Sequence, residues 1–264
     1  MLNAEIISLG NELIEGLRTN TNATWLAREL TRLGIRVARI TCVGDEQEEI
    51  KAVIREALAR GPKVLIITGG LGATPDDRTR EALALALRRR LFLSSAALKL
   101  LESSYRCPGS PRSIERAGVA RAKRKMANIP RGAIPLPNPV GLAPGIKLRH
   151  GETLIFCLPG VPAEAKAIFQ TSVRRDLSEL GGKLRCSRTV LVEGIDETTL
   201  APLLEGLARA FPSVDVRSYP SWKGTKSRIK IMLVAPTEEE VKAAAEFFES
   251  SLRNLALTSR RDYC

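Results

Sequence analysis

VLIITGGLGATPDDRTREALALAL, residues 64–87, opens as an apolar run too short for a helix. It then passes Gly69, Gly70 and Gly72, meets the adjacent Asp76 and Asp77, and continues in a helical pattern. A short β-branched run of this kind reads as a buried strand. Strand, glycine turn and helix together form the joint of an open α/β sheet, and the carboxyl edge where that turn sits is where such sheets bind ligands. Bare glycine N–H groups at a helix start suit an anion. Carboxylates repel one. A divalent cation between phosphate and aspartate resolves the conflict, because oxygen ligands hold it and it bridges to the phosphate. The plainer account, a tight turn with an aspartate as helix cap, stays open beside it. Two adjacent aspartates exceed what one cap needs. The turn is neither a Walker A loop nor a G-x-G-x-x-G fingerprint.

Working outward, the flanking chain alternates in the same way. Residues 4–10 form an apolar strand. Trp25, Leu26, Leu30 and Leu33 fall at helical spacing, with Asn20 or Asn22 as cap and Gly34 as stop. Residues 35–45 alternate as a strand, and the helical pattern of residues 46–61 ends at Gly61. Three strands alternating with three helices predict an open, mostly parallel sheet covered on both faces. Residues 91–133 read as a basic, mostly helical excursion broken by CPGSPRS, and the stretch after it, with five prolines between 130 and 144, reads as loop. ETLIFCLPG returns to strand, and a helix closes the unit near Gly181 and Gly182. Beyond it, a β-α-β-β-α pattern predicts a small α+β domain with a hairpin loop anchored by Trp222. The expected domains are residues 1–180 and 184–264.

Composition narrows the function classes. The 264 residues are 44% hydrophobic, enough for a core, and no apolar run approaches the roughly 18 residues that span a bilayer. The N-terminus reads as a first strand and not as a signal peptide, so a soluble, cytoplasmic protein is expected. The five cysteines are scattered without a C-x-x-C, which gives neither a disulfide framework nor a zinc site. Cys42, Cys107, Cys157 and Cys186 read as small buried residues, and Cys264 as a terminal one. The one histidine, His150, sits in a turn-like context and leaves triad chemistry without a base. The net charge of +12 clusters in residues 88–90 and 121–125, but aromatics are only 4% of the chain. Without stacking platforms these clusters read as solvated helical faces, and nucleic acid ranks last among the partners.

Other strand ends add chemistry to the same edge. Gly10 and Glu12 follow the first strand, and Asp45 follows the second, where it can cap the next helix. Asn138 and Gly141 lie in NPVGLAPG, and Gly160 stands between prolines after the later strand, with Glu164 in the following helix.

GNELIEG…TNATWLA, VGDE, TGGLGATPDDRTREA, NPVGLAPG and LPGVPAE together resemble the molybdopterin-binding fold of molybdenum-cofactor biosynthesis proteins (MoaB and Mog). Within it they resemble the branch at the N-terminus of competence/damage-inducible CinA proteins. The resemblance covers about residues 3–180, and residues 184–254 are similar to the next domain of CinA. It implies a three-layer α/β/α domain, homo-oligomers, and a pocket for a nucleotide or pterin phosphate. Residue by residue, Asp77 matches the aspartate shared by both branches, Asp76 the extra acid of the CinA type, Glu12, Asp45 and Asn138 the polar residues of the other motifs. Asn11 stands where aspartate or threonine is usual, and Asn20 where CinA-like sequences have aspartate. The amidase domain of many CinA proteins does not follow, so nicotinamide-mononucleotide deamidation is not implied.

The expected activity is metal-dependent pyrophosphatase hydrolysis of ADP-ribose-type nucleotides. Asp76 and Asp77 would hold Mg²⁺, Mn²⁺ or Co²⁺, with Asp77 and Glu12 as the catalytic carboxylates and Glu12 or Asp45 as base or second ligand. Gly69, Gly70, Gly72, Asp45, Asn138, Gly141 and Gly160 would bind the substrate. Two alternatives share the pocket. One is molybdopterin binding or adenylyl transfer in molybdenum-cofactor biosynthesis, against which Leu71 stands where that branch usually has threonine. The other is a non-catalytic nucleotide-binding regulatory module.

Overall fold

The computed structural model describes residues 2–104, 116–180, 186–223 and 226–259. Its contacts divide the chain into two units, Met1–Gly182 and Lys183–Cys264.

The first unit begins β1 (Asn3–Leu9), α1 (Asn11–Ile14), α2 (Thr21–Arg32), β2 (Arg36–Val43), α3 (Gln47–Ala59), β3 (Val64–Thr68) and α4 (Thr79–Ala86). There follow β4 (Leu91–Leu93), α5 (Ser95–Ser104), α6 (Arg116–Ala127), β5 (Asn128–Pro130), β6 (Ile134–Leu136), β7 (Gly145–His150) and β8 (Thr153–Leu158). Helix α7 (Pro162–Ile168) passes through a π turn, Phe169–Val173, into α8 (Arg174–Glu179). The main sheet runs β2-β1-β3-β8-β7-β6. Its first four strands are parallel, and β7 and β6 extend it antiparallel.

The three layers follow from period-2 alternation along strands buried on both faces. Ile7 on β1, Leu65 and Ile67 on β3, and Ile155 and Cys157 on β8 pack with α3, α4 and α5. Their neighbours Ile6, Val64, Ile66, Leu154 and Phe156 point to the opposite face and pack with α2, α7 and α8. Each buried Leu, Ile or Phe stabilises by about 1.5–3 kcal/mol, so the central strands hold both layers. On the α2 side Trp25 meets Phe169 edge to face at 5.2 Å, with Lys166 over the Trp25 ring. A charged pair reaches the central sheet: Glu5 on β1 is 4% exposed and takes two hydrogen bonds from Arg60.

Three expectations need correction. The helix after the aspartates starts at Thr79, so Asp76 and Asp77 lie in the preceding turn and neither caps it. The proline-rich stretch is not all loop, because Ile134–Leu136 pairs with Gly145–Lys147 and forms the sheet edge. Pro135 is compatible with that position because an edge strand leaves N–H groups without a required partner. The basic excursion is likewise interrupted by β4 and β5, which pair antiparallel as Leu91–Leu93 against Asn128–Pro130. CPGSPRS lies outside the described residues. Parts of the basic clusters have structural duties: Arg89 donates to the carbonyls of Arg131 and Arg149, and Lys125 to that of Thr74.

The second unit contains β9 (Cys186–Glu193), α9 (Glu197–Ala210), β10 (Asp215–Lys223), β11 (Lys226–Ala235) and α10 (Glu238–Ser259). Its antiparallel sheet runs β10-β11-β9. Asp196 caps α9 by accepting from Thr199 N at 2.9 Å, and Thr237 Oγ1 accepts from Glu240 N at the start of α10. Leu207, Ile231 and Phe248 centre its core. Trp222 does not anchor the hairpin, since it is 74% exposed at the end of β10. Among the described cysteines Cys157 is buried as expected, whereas Cys42 is exposed on the sheet-edge strand β2. Burial pushes the Cys157 thiol up to about 12, so it is an inert core residue. Among the described residues no helix is long and apolar enough to cross a membrane.

Candidate functional site

The carboxyl ends of β1, β3 and β8 converge on one crevice, and the glycines are what let them converge. Gly69 lies at φ 109° and donates to the Leu158 carbonyl, and its own carbonyl accepts from Thr79 Oγ1 at 2.7 Å. The turn therefore connects β3 to α4 and to the end of β8 at once. The crevice encloses about 590 Å³, lined by Gly70–Ala73, Asp77, Glu12, Arg18, Met126, Gly141–Ala143, Pro159–Pro162 and Glu164. That volume lies within the usual range for a small-molecule site. Gly70, Gly72, Gly141 and Gly160 are thus brought together as the sequence suggested, while Gly69 holds the turn from behind.

The carboxylates gather around this mouth but do not share one duty. Glu12 folds back over Gly10, where an added Cβ would stand 2.5 Å from its Oε2, and it borders the crevice. Asp77 Oδ2 accepts from Thr74 N at 2.9 Å and Thr74 Oγ1 at 2.5 Å, closing the loop between them. Asp76 is exposed, and its bond from the Thr74 side chain holds its carboxyl below the usual range. Among the described residues no three His, Cys, Asp or Glu side chains stand together as a metal cage.

Asp45 Oδ2 accepts from Asn11 N at 3.0 Å, and Asn11 Oδ1 accepts from Asp45 N at 3.2 Å. This reciprocal clasp ties the end of β1 to the end of β2. Burial raises the Asp45 carboxyl above its usual 3.8, the Asn11 bond opposes this, and the charges of Glu12, Asp76 and Asp77 add to the rise. A folded-state pKa above the unfolded one makes the native state bind more protons across that window. The contribution of Asp45 to stability is then fully present below pH 3.8 and declines as pH rises through the folded value. Asp45→Asn is expected to raise the thermal midpoint at pH 7, and the gain is expected to vanish as pH falls toward 3.5. Thermal unfolding across that range, in chelator, checks it.

The asparagines serve the scaffold. Asn20 caps α2 by accepting from Ala23 N at 3.1 Å and also accepts from Ser8 Oγ. Asn138 donates to Glu164 Oε2 at 2.6 Å and to the Ala143 carbonyl, and accepts from Gly141 N at 2.9 Å. It shapes the NPVGLAPG loop and holds Glu164 beside the crevice; its own side chain does not line the crevice.

Two residues to which the sequence reading gave no site role matter here, Asn22, which it offered as an alternative cap of α2, and Arg80. Asn22 Nδ2 donates to the Gly160 carbonyl at 2.8 Å and to Thr68 Oγ1, whose proton goes to the Pro159 carbonyl. The carbonyl fixes which end of the amide faces it. Asn22 Oδ1 is left buried without a partner, lining a polar side pocket of about 70 Å³ next to the crevice. Arg80 is 1% exposed and donates to the carbonyls of Leu71 and Gly72. Its signal was present in the sequence, since Arg80 falls on the same helical stripe as Leu83 and Leu87.

Comparison with known proteins agrees with the fold. Residues 5–179 match the family described as "Probable molybdopterin binding domain", and residues 186–260 match "FAD synthase, middle domain". A protein of Pyrococcus furiosus is 42% identical over 247 residues, covering 94% of this chain and 96% of its own length. One from Pyrobaculum calidifontis is 42% identical over 250 residues, covering 93% and 92%. Among solved structures, CinA of Thermoplasma acidophilum is similar at 34% identity with a TM-score of 0.59, over 66% of this chain and 97% of that one.

Proposed function

This chain belongs to the molybdopterin-binding domain family, and on that premise we propose that its first unit binds a pterin or nucleotide through a phosphate group, as a protein of molybdenum-type cofactor biosynthesis. One observation carries the reading: the crevice of about 590 Å³ is lined by Gly70, Gly72, Gly141 and Gly160 at the carboxyl edge of the parallel strands. Side-chain-free backbone there allows close approach of phosphate oxygens, and the start of α4 favours negative charge. Arg18, exposed in the lining, supplies a cation. Titration calorimetry of the full chain with a molybdopterin-type pterin phosphate, AMP and ADP-ribose tests it. Saturable binding of at least one is expected, weakened at least about tenfold in Gly160→Val by narrowing of the crevice wall. No binding of any of the three would sink the reading.

A second reading, metal-dependent pyrophosphate hydrolysis, is favoured by Glu12 and Asp77 lining the same crevice, with the exposed Asp76 next to Asp77 in the chain. These acids fit a Mg²⁺-type ion that takes one or two carboxylates and completes its shell with water and phosphate oxygens. Asp76 and the free Oδ1 of Asp77 would hold it, and when bound it would offset phosphate charge and acidify a water. Glu12, folded over Gly10, would accept a proton at Oε2. The same titration mixtures, assayed for AMP released from ADP-ribose with Mg²⁺, Mn²⁺ or Co²⁺, separate the readings. Turnover lost in Asp77→Asn supports hydrolysis; binding without turnover under every metal leaves the first reading alone.

A further inference from the structure

The buried guanidinium of Arg80 lies beneath the glycine turn with no carboxylate in ion-pair range among the described residues. It donates to the Leu71 carbonyl at 2.6 Å and the Gly72 carbonyl at 2.5 Å, and its Nε has no partner. Burial lowers its pKa, while Glu81 and Asp77 act in the opposite sense through space. A buried cation matched only by dipoles is destabilising, because removal from water costs several kcal/mol and neutral carbonyls return only part of it. A folded chain that retains such a charge at its ligand crevice has a use for it there.

The peptide geometry identifies that use. The described peptide bonds are all trans, so the N–H of each peptide points away from its C=O. When Arg80 draws the Leu71 and Gly72 carbonyls inward, the N–H groups of Gly72 and Ala73 are turned the other way. Both residues line the crevice, and neither N–H has a protein acceptor among the described residues. We propose that Arg80 is the positioning residue of an anion cradle: it orients the Gly72 and Ala73 N–H groups toward a ligand phosphate and supplies, from behind the turn, the positive charge that this phosphate neutralises.

The proposal rests on the phosphate-binding reading above and is tested with inorganic pyrophosphate as probe. Calorimetry on the full chain compares wild type with Arg80→Met, Arg80→Gln and Arg80→Lys, with thermal unfolding of each alongside. Wild type is expected to bind pyrophosphate, with affinity falling at least about tenfold in Arg80→Met and Arg80→Gln. Arg80→Lys is expected to recover part of the loss, because it restores the charge without the two-pronged fork. If Arg80→Met fails to fold, Arg80→Gln carries the test, since it keeps a donor for one carbonyl. Unchanged affinity in the neutral variants overturns the role of Arg80 and leaves the proposed function standing. A Lys variant no better than Gln overturns the charge component and reduces Arg80 to a structural brace. Failure of the wild type to bind pyrophosphate overturns the cradle and the phosphate reading together.

Discussion

Gly69→Ala is expected to destabilise the first unit by about 3–5 kcal/mol. Two independent penalties meet at this residue. Its φ of 109° lies where an L side chain is rarely tolerated, and a Cβ there would stand 2.4 Å from the Leu9 carbonyl oxygen. That oxygen is backbone at the end of β1, so it cannot rotate away as a side chain would. On its other side Gly69 is hydrogen-bonded to Leu158 at the end of β8, and moving it back would open that joint. Gly160→Ala provides the control. Its added Cβ meets nothing closer than Gly69 Cα at 3.5 Å, an ordinary contact, and a cost below about 1 kcal/mol is expected. Urea unfolding followed through Trp25 in a Trp222→Phe background reads the first unit. A Gly69→Ala midpoint equal to that of Gly160→Ala would refute the argument. Under the proposed phosphate reading, ligand access and strand closure would depend on the same glycine run, which would leave this turn little freedom to vary for either purpose.

Much of this was legible in the sequence because the central strands announce themselves. Val64–Thr68 is apolar on both faces, and only a strand covered on both sides requires that. The glycine turn placed the crevice, and the three-layer fold with its smaller second unit followed from alternation and from the family resemblance. Other features were hidden for physical reasons. Ile134–Leu136 pairs only along a sheet edge, and its proline signals loop to any reading that sees one strand at a time. The resemblance singled out Asp77 and Asn138, but the sequence could not show that Thr74 occupies one oxygen of Asp77, or that Gly141, Ala143 and Glu164 engage the Asn138 amide. Arg80 falls on the helical stripe of Leu83 and Leu87, but an arginine near a helix start, between Thr79 and Glu81, is ordinarily solvated, so that weak signal went unread. Only its burial beneath two carbonyls reveals what it does.

Removing Arg60 should cost nearly as much as altering Gly69, and by a different route. Glu5 sits in the middle strand pair, with β1 flanked by β2 and β3, and is 4% exposed. Arg60 grips both of its oxygens, Nε to Oε1 at 2.8 Å and Nη2 to Oε2 at 2.7 Å, and that bond raises the arginine pKa. The Arg60 side chain itself keeps 32% exposure, so the two partners are not equivalent. Arg60→Leu strands a carboxylate in the sheet, and a loss of about 3–5 kcal/mol is expected. Glu5→Leu instead frees an arginine that can still reach water, and a loss of under about 2 kcal/mol is expected. The double variant should recover most of the Arg60→Leu loss, because the stranded charge is gone. Acid should rescue Arg60→Leu in part. Protonating a buried carboxyl removes the unpaired charge that makes the variant unstable, so its deficit should shrink toward acid pH. Denaturant midpoints of the three variants between pH 4 and pH 8 decide it. A double variant no more stable than Arg60→Leu would show that Arg60 acts by packing its stem against α3 and β1, not by holding the charge of Glu5.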